Sequence, residues 1–156
     1  MINQPPVSGT QVLTADRCWG FLREATVGRL AFVLNGKPEI YPVNFVVDHG
    51  SMVFRTANGR KLLALADGGE VAFEADGTTN AGAAAWSVIV KGRAVAISRT
   101  DDLLDTVFLP LHPWENGTKE RFVRVTPETI TGRLFSVAGL AAWQPPLDSA
   151  TRAGAE

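Results

Sequence analysis

The chain has 156 residues, of which 46% are apolar and 20% charged, with a formal net charge of −1. These values predict one globular domain with its own core, and they argue against disorder and against nonspecific nucleic-acid binding as the main role. The single cysteine, Cys18, cannot form an internal disulfide, and no apolar run approaches the roughly 20 residues of a membrane helix. Because no secretion signal opens the sequence, we expect a cytoplasmic protein without a membrane partner.

The first half of the sequence predicts one short helix followed by a three-stranded antiparallel meander. Thr14 is a suitable cap for a helix over residues 15–23, which places Cys18, Phe21 and Leu22 on one side. Asn35-Gly36 lies between two apolar runs and predicts a two-residue hairpin turn, because both central residues must tolerate positive φ. A second turn is predicted at residues 48–50. The predicted strands are 27–34, 38–47 and 51–56.

The second half predicts further strands and two short helices. The long segment 85–98 reads as a strand, with Trp86, Val88 and Val90 on one parity. The other predicted elements are a helix over 60–67, a strand over 70–75, a loop over 77–84, a helix over 101–111, and strands over 121–125 and 130–137. Six or seven antiparallel strands predict a mainly β fold, a small closed or partly closed β-barrel with short helices. We place the domain at residues 13–140, between loosely held segments 1–12 and 141–156.

The segment from Val53 to Lys61 carries the clearest indication of a ligand. An apolar strand ends in Arg55-Thr56, Gly59 makes a turn, and Arg60-Lys61 open an apolar helix. Unpaired amides and the helix dipole favour an anion at a helix N-terminus, and the cationic side chains add to this. The segment therefore predicts a phosphate site, although such residues can also do no more than solvate a turn.

Other common site chemistries find little support in the sequence. His49, His112 and Cys18 lack the spacing of metal ligands, so no metal site is predicted, and we expect His49 to be exposed in a turn. Cys18 is expected to be a packed thiol. The chain has no Gly-x-Ser-x-Gly elbow, Walker loop or Gly-x-Gly-x-x-Gly fingerprint. We therefore assign no catalytic residue, and we expect a cofactor to carry the chemistry; Trp86 could either wall its ring or fill the core.

Seven segments in order give the chain a specific resemblance to one superfamily. They are Val27–Ala31, Pro38–Phe45, Val53–Thr56 with Gly59 and Lys61, Val71–Glu74, Trp86–Ala94, Phe122–Val125 and Ile130–Phe135. The chain resembles the flavin-binding split-barrel superfamily typified by pyridoxamine 5′-phosphate oxidase, and within it the short flavin-nucleotide-binding proteins of actinobacteria. The resemblance covers about residues 14–137. It implies a six- or seven-stranded Greek-key split barrel of the FMN-binding type.

The resemblance also implies a homodimer with FMN in grooves between the subunits. It assigns the phosphate to Arg55, Thr56 and Lys61, with Arg60 as a helper. It places Pro42, Val43, Asn44 and Phe45 beside the isoalloxazine, and it brings Trp86, Ser87 and Val88 to the flavin from the same or the partner subunit. Arg133 matches a substrate-binding strand of the oxidases, but no Arg-x-His motif follows it, which argues against vitamin B6 oxidase activity.

Three functions remain open at this stage. The first is an FMN-dependent oxidoreductase that transfers hydride or electrons between a nicotinamide donor and a small organic acceptor. The second is a module that binds flavin without turnover, and the third is a reductase that uses a deazaflavin in the same groove. The fold alone does not choose among them.

Three strand glycines, Gly28, Gly92 and Gly132, are open to two explanations. A glycine within a strand marks a bulge or the close approach of another backbone or a ligand. It also occurs at barrel corners where no ligand is bound. The sequence does not separate these possibilities.

Overall fold

The computed structural model describes residues 9–56, 65, 67–79, 83–97 and 121–137. These residues form one helix and seven antiparallel strands. In chain order they are β1 (Thr10–Val12), α1 (Ala15–Glu24), β2 (Val27–Leu34), β3 (Lys37–Asp48), β4 (Ser51–Thr56), β5 (Asp67–Thr79), β6 (Ala84–Ala96) and β7 (Arg121–Ser136). None of the helical structure in these ranges combines the length and apolar character needed to cross a membrane.

Six of the strands close into a ring. The order across the sheet is β1-β7-β4-β3-β2-β5-β6, and β6 also pairs with β7. One edge of β7 pairs with β4 over Arg121–Val125 and with β1 over Arg133–Phe135, while its other edge pairs with β6. The seam between β2 and β5 is short, covering only Arg29–Ala31 against Ala72–Glu74. The predicted mainly β, antiparallel split barrel is confirmed.

The core is formed by side chains that alternate between the inner and outer faces along each strand. On β6, Trp86, Val88, Val90 and Ala94 are buried and Ile89 is exposed, as the sequence predicted for one parity. Rings from β3 and β5, which flank β2, meet inside the barrel, where Phe45 and Phe73 pack edge to face with centroids 4.7 Å apart. Each fully buried side chain of this size stabilises the fold by about 1.5–3 kcal/mol.

Helix α1 packs against the barrel through the predicted face. The Thr14 hydroxyl caps it by accepting from the Arg17 backbone N–H at 3.4 Å, and Cys18 and Leu22 are fully buried. A Cβ at position 132 would lie 2.6 Å from the Cys18 Sγ, so the glycine of β7 lets the helix approach. Burial raises the pKa of the Cys18 thiol, which confirms a packed cysteine with little thiolate at neutral pH.

Two hairpin turns have the backbone that their residues suggested. Asn35 has φ 51° and Gly36 has φ 73°, as a type I′ turn requires, and this confirms the first hairpin. His49 at φ 47° and Gly50 at φ 69° turn the second. The second turn is one residue shorter than predicted, because β3 continues through Asp48.

Two predicted boundaries were wrong. The loop predicted over residues 77–84 is shorter, since β5 and β6 remain paired as far as Thr79 and Ala84. The two predicted last strands are one strand, because a bulge between Lys91 and Gly92 of β6 accommodates Pro127. The sheet also begins at Thr10, within the segment predicted to be loosely held.

Several predicted elements cannot be compared with the described structure. The helix predicted over 101–111 and the tail over 141–156 lie outside the described residues. Of the helix predicted over 60–67, Leu65 is helical and buried, and Asp67 already belongs to β5.

The three strand glycines are explained by contacts within the chain. A Cβ at Gly28 would lie 2.7 Å from Cε2 of Phe73 and 2.9 Å from the Glu74 carbonyl oxygen. A Cβ at Gly92 would collide with the Thr126 carbonyl at the bulge, and Gly132 faces Cys18. Protein atoms thus occupy the space beside all three glycines.

Candidate cofactor site

The outer face of β3 and β4 brings together three of the predicted site residues. The paired register of the two strands ends at Phe45 and Phe54, and Asn44 and Arg55 are the next residues of each strand. Both residues are half-buried, and Pro42 is exposed two positions along the same face of β3. Because side chains alternate along a strand, an amide and a guanidinium both lie on this outer face.

Arg55 has an aromatic support on the neighbouring strand. Its guanidinium carbon lies 5.6 Å from the centroid of the Phe122 ring, and the two residues are register partners of β4 and β7. Such a cation–π contact holds the charge on an apolar surface, where its interaction with an anion is screened less than in open water. Val53, on the same face of β4, is fully buried, so the accessible part of this face lies around Asn44 and Arg55.

The remainder of the predicted phosphate site is described only in part. Thr56 ends β4, and its backbone is paired opposite Arg121. Arg60 and Lys61 lie outside the described residues. Among the predicted phosphate ligands, Arg55 is therefore the side chain whose placement supports a bound anion.

Two predicted residues of β3 face the interior. Val43 is 7% exposed and Phe45 is 2% exposed, so their side chains belong to the core. The Phe45 backbone N–H donates to the Thr26 carbonyl at 3.1 Å and is already used within the sheet. Their predicted contact with a cofactor would have to be made by other backbone atoms.

The predicted residues of β6 are divided between the two faces. Trp86 and Val88 point inward and are buried, while Ser87 is on the outer face opposite Arg133. Arg133 and Phe122 are eleven positions apart on β7, a path of roughly 35 Å at about 3.3 Å per residue. One copy of the chain therefore does not bring Ser87 to Arg55.

A polar cluster on the same sheet, which sequence reasoning missed, has a structural role. Arg124 donates to the Asp48 carboxylate at 2.9 Å, and the Ser51 hydroxyl donates to the Asp48 carbonyl at 2.7 Å. The cluster ties the turn between β3 and β4 to β7 and balances its own charge. The pairing of β4 with β7, which also brings Phe122 to Arg55, is a long-range contact that no local pattern indicates.

Within the described ranges no group of three His, Cys, Asp or Glu residues could hold a metal ion. His49 is 92% exposed, as predicted, and its Nδ1 lies 2.9 Å from the Asp48 carboxylate. His112 lies outside the described residues. The positions described thus give no support to metal chemistry.

Comparison with known proteins identifies the family. The family model described as pyridoxamine 5′-phosphate oxidase matches residues 14–134. The chain belongs to this family. The matched range contains the segments that carry the resemblance, up to Leu134 of the last one.

Three known proteins are similar to this chain over most of its length. A solved FAD-binding protein from Mycobacterium smegmatis is 36% identical, with a TM-score of 0.71 over 84% of this chain and all (100%) of the other. A Corynebacterium glutamicum protein described as a candidate pyridoxamine 5′-phosphate oxidase is 30% identical, with a TM-score of 0.73 over 87% and 98% of the two chains. An uncharacterised Mycobacterium tuberculosis protein is 34% identical over 134 residues, 81% of this chain and 88% of the relative.

The geometry suits the phosphate and the polar edge of the ring of a flavin nucleotide. A guanidinium on an aromatic support suits a phosphate, and the adjacent amide can donate to and accept from the polar edge of a ring. The outer surface of β3 presents Pro42 and Val46 beside Asn44, which gives apolar contact for a flat ring.

Proposed function

We propose that this protein binds a flavin nucleotide, FMN, on the outer face of β3 and β4 and acts as an oxidoreductase. The substrates would be a nicotinamide electron donor and a small organic acceptor. The observation that carries the proposal is the placement of Arg55 over Phe122, next to the end of the register that pairs β3 with β4. A bound flavin would supply the hydride and electron transfer that no described side chain provides.

The roles of the chain's own residues follow from their chemistry. The Arg55 fork can bind two phosphate oxygens at once, and Thr56, Arg60 and Lys61 are predicted to complete the phosphate site. Asn44 would orient the ring through its amide. Pro42 would exclude water from one side of the ring, which strengthens the polar contacts at its edge.

Relatives support a flavin without deciding which one. The Mycobacterium smegmatis relative is an FAD-binding protein, and FAD shares with FMN the isoalloxazine and the phosphate next to the ribityl chain. The deazaflavin alternative would use the same outer face with a longer anionic tail. We favour FMN, because the proposed site needs to hold a single phosphate group, and Arg55 is the basic side chain proposed to bind it.

A homodimer is part of the proposal. The outer face of the hairpin formed by β2 and β3 exposes Val33 at 66% and Ile40 at 64%. Val33 pairs with Pro38, and Ile40 pairs with Ala31. Exposed apolar neighbours of this kind are typical of a protein interface. A second copy covering this hairpin would bury them, and it could bring its own Ser87 segment to the Arg55 of the first.

The test is a binding titration on purified protein. FMN, FAD and a deazaflavin are each titrated separately. Binding should quench the fluorescence of the added flavin, and FMN should bind most tightly. Arg55→Ala should weaken FMN binding by about tenfold, the effect of losing one charge-assisted contact. Arg93→Ala is the matched control, since Arg93 pairs with Glu128 on a distant part of β6 and β7.

The possible results separate the parts of the proposal. Equal FMN affinity in wild type and Arg55→Ala would refute the phosphate assignment. If FAD or the deazaflavin binds more tightly than FMN, that compound is the cofactor instead of FMN. Tight flavin binding without any nicotinamide-dependent reduction would leave a binding module, and a monomer in sedimentation analysis that still binds flavin tightly would refute a site shared between subunits.

A further inference from the structure

A second pocket lies at the end of the barrel beside α1. It has a volume of ≈ 350 Å³ and is lined by residues 24–27, residues 76–78 and Trp86. It forms because β2 and β5 pair only from Arg29 and Glu74 onward, so the strands diverge before that point. This volume is at the small end of the range for ligand pockets, about 300–1,000 Å³, and suits a compound with one ring.

The indole of Trp86 forms the floor of this pocket. One face of the ring stacks on Phe21 with centroids 5.0 Å apart. Gly77, the register partner of Trp86 on β5, packs against the indole, and a Cβ there would lie 2.9 Å from the indole Nε1. Any larger residue at position 77 would therefore cover the N–H edge of the ring.

The indole N–H has no acceptor among the described residues, although Trp86 is only 6% exposed. No side-chain nitrogen or oxygen sealed inside the described structure lacks a partner, so this N–H keeps access to water, and Trp86 lines the pocket. Tryptophan N–H groups in largely buried rings usually donate to a partner. A ligand with an oxygen acceptor would take the place of that water.

Two acidic residues distinguish this pocket. Glu24 and Asp76 line it, and the last turn of α1 adds the negative end of the helix dipole. Two cations lie nearby: Arg23 is in that last turn, and Arg29 approaches Asp76 at 3.2 Å while it also binds Glu74 at 2.7 Å. Because both acids line the pocket and neither cation does, a cationic ligand is favoured there over a phosphate, in contrast to the anion site at Arg55.

We propose that this pocket binds a small amine of one ring that also carries a hydroxyl or carbonyl oxygen. The ammonium lies toward Asp76 and Glu24, the ring lies on the indole, and the oxygen accepts from the Trp86 N–H. This inference does not rest on the proposed flavin function, because neither Arg55 nor Asn44 lines the pocket.

Matched compounds test each contact separately. The whole purified chain is titrated with 2-(4-hydroxyphenyl)ethylamine while the indole N–H signals are followed by ¹H–¹⁵N NMR, and Trp86→Phe identifies the Trp86 signal. If that variant does not fold, backbone-linked assignment identifies the signal instead. We expect the Trp86 signal to shift with saturation. The neutral isostere 2-(4-hydroxyphenyl)ethanol should bind more weakly by up to about fivefold, as expected for the loss of one partly exposed charge contact.

Two variants and a third compound complete the experiment. Asp76→Asn should weaken binding of the amine about fivefold, whereas Glu70→Gln, the same change at an exposed carboxylate of β5 outside the pocket, should not. 2-Phenylethylamine, which lacks the oxygen, should bind more weakly and shift the indole signal less. An unmoved Trp86 signal, equal affinity for the amine and its isostere, equal affinity for the two amines, or equal effects of the two variants would overturn the proposal.

Discussion

The strongest prediction about the barrel concerns Gly28→Ala. The new Cβ would overlap the Phe73 ring and lie 2.9 Å from the Glu74 carbonyl oxygen. Overpacking of a tight core costs about 1–3 kcal/mol, and a contact with backbone oxygen places this site near the upper end. Alanine also restricts the unfolded chain, which returns about 0.4–1 kcal/mol. We therefore expect a loss of about 2 kcal/mol, or roughly 4–8 °C in Tm for a chain of this size.

Urea unfolding at one fixed protomer concentration measures this loss, and a second substitution tests its cause. Phe73→Leu removes the outer ring atoms, so in that background Gly28→Ala should cost at least about 1 kcal/mol less than in wild type. Gly20→Ala is the control, because nothing lies within 4 Å of that Cβ in α1, and it should stabilise by about 1 kcal/mol. A neutral Gly28→Ala, or the same cost in both backgrounds, would refute the reasoning.

Two further predictions concern a buried thiol and an ion pair. Burial raises the pKa of the Cys18 thiol, so as pH rises above about 8.5 the thiol loses its proton in the unfolded chain before it does in the folded one. The free energy of unfolding should therefore fall above this pH in wild type, and it should fall less in Cys18→Ala. Parallel pH curves for the two proteins in urea unfolding would contradict this. Asp48→Asn should cost about 1–2 kcal/mol, because it breaks a half-buried pair with Arg124, whereas Arg29→Ala, at an exposed pair, should cost less than about 1 kcal/mol in the same assay.

Local chemistry explains why much of the fold was predictable. Asn35-Gly36 tolerates the positive φ that a tight hairpin requires, and its flanking apolar runs gave the bounds of β2 correctly. The alternation from Trp86 onward gave the inward face of β6. These features depend on neighbours in sequence, so the sequence alone contains them.

The errors occurred where distant partners determine the structure. Two strands were predicted on either side of residues 126–129, but β7 continues through them, because the bulge opposite Gly92 accommodates Pro127, which has no N–H to donate. Thr78 and Thr79 were read as loop residues, and pairing with β6 holds them in β5. Neither partner is visible from the local sequence.

The same distinction applies to the candidate site. Asn44 and Arg55 could be predicted as neighbours from their hairpin. Alternation in β3 also indicates that Val43 and Phe45 face the core, as their burial confirms, and this limits what their side chains can contact. The Phe122 support and the open Trp86 N–H depend on contacts across the barrel, so sequence reasoning could not find them.

The long strand β7 has a consequence for synthesis of the protein. It supplies the pairing partners of β1, β4 and β6, although all three precede it in the chain. A growing polypeptide thus carries several unsatisfied strand edges until residues 121–136 have left the ribosome, and such edges are sites of aggregation. Closure of the barrel therefore has to wait until β7 has been synthesised and is available for pairing.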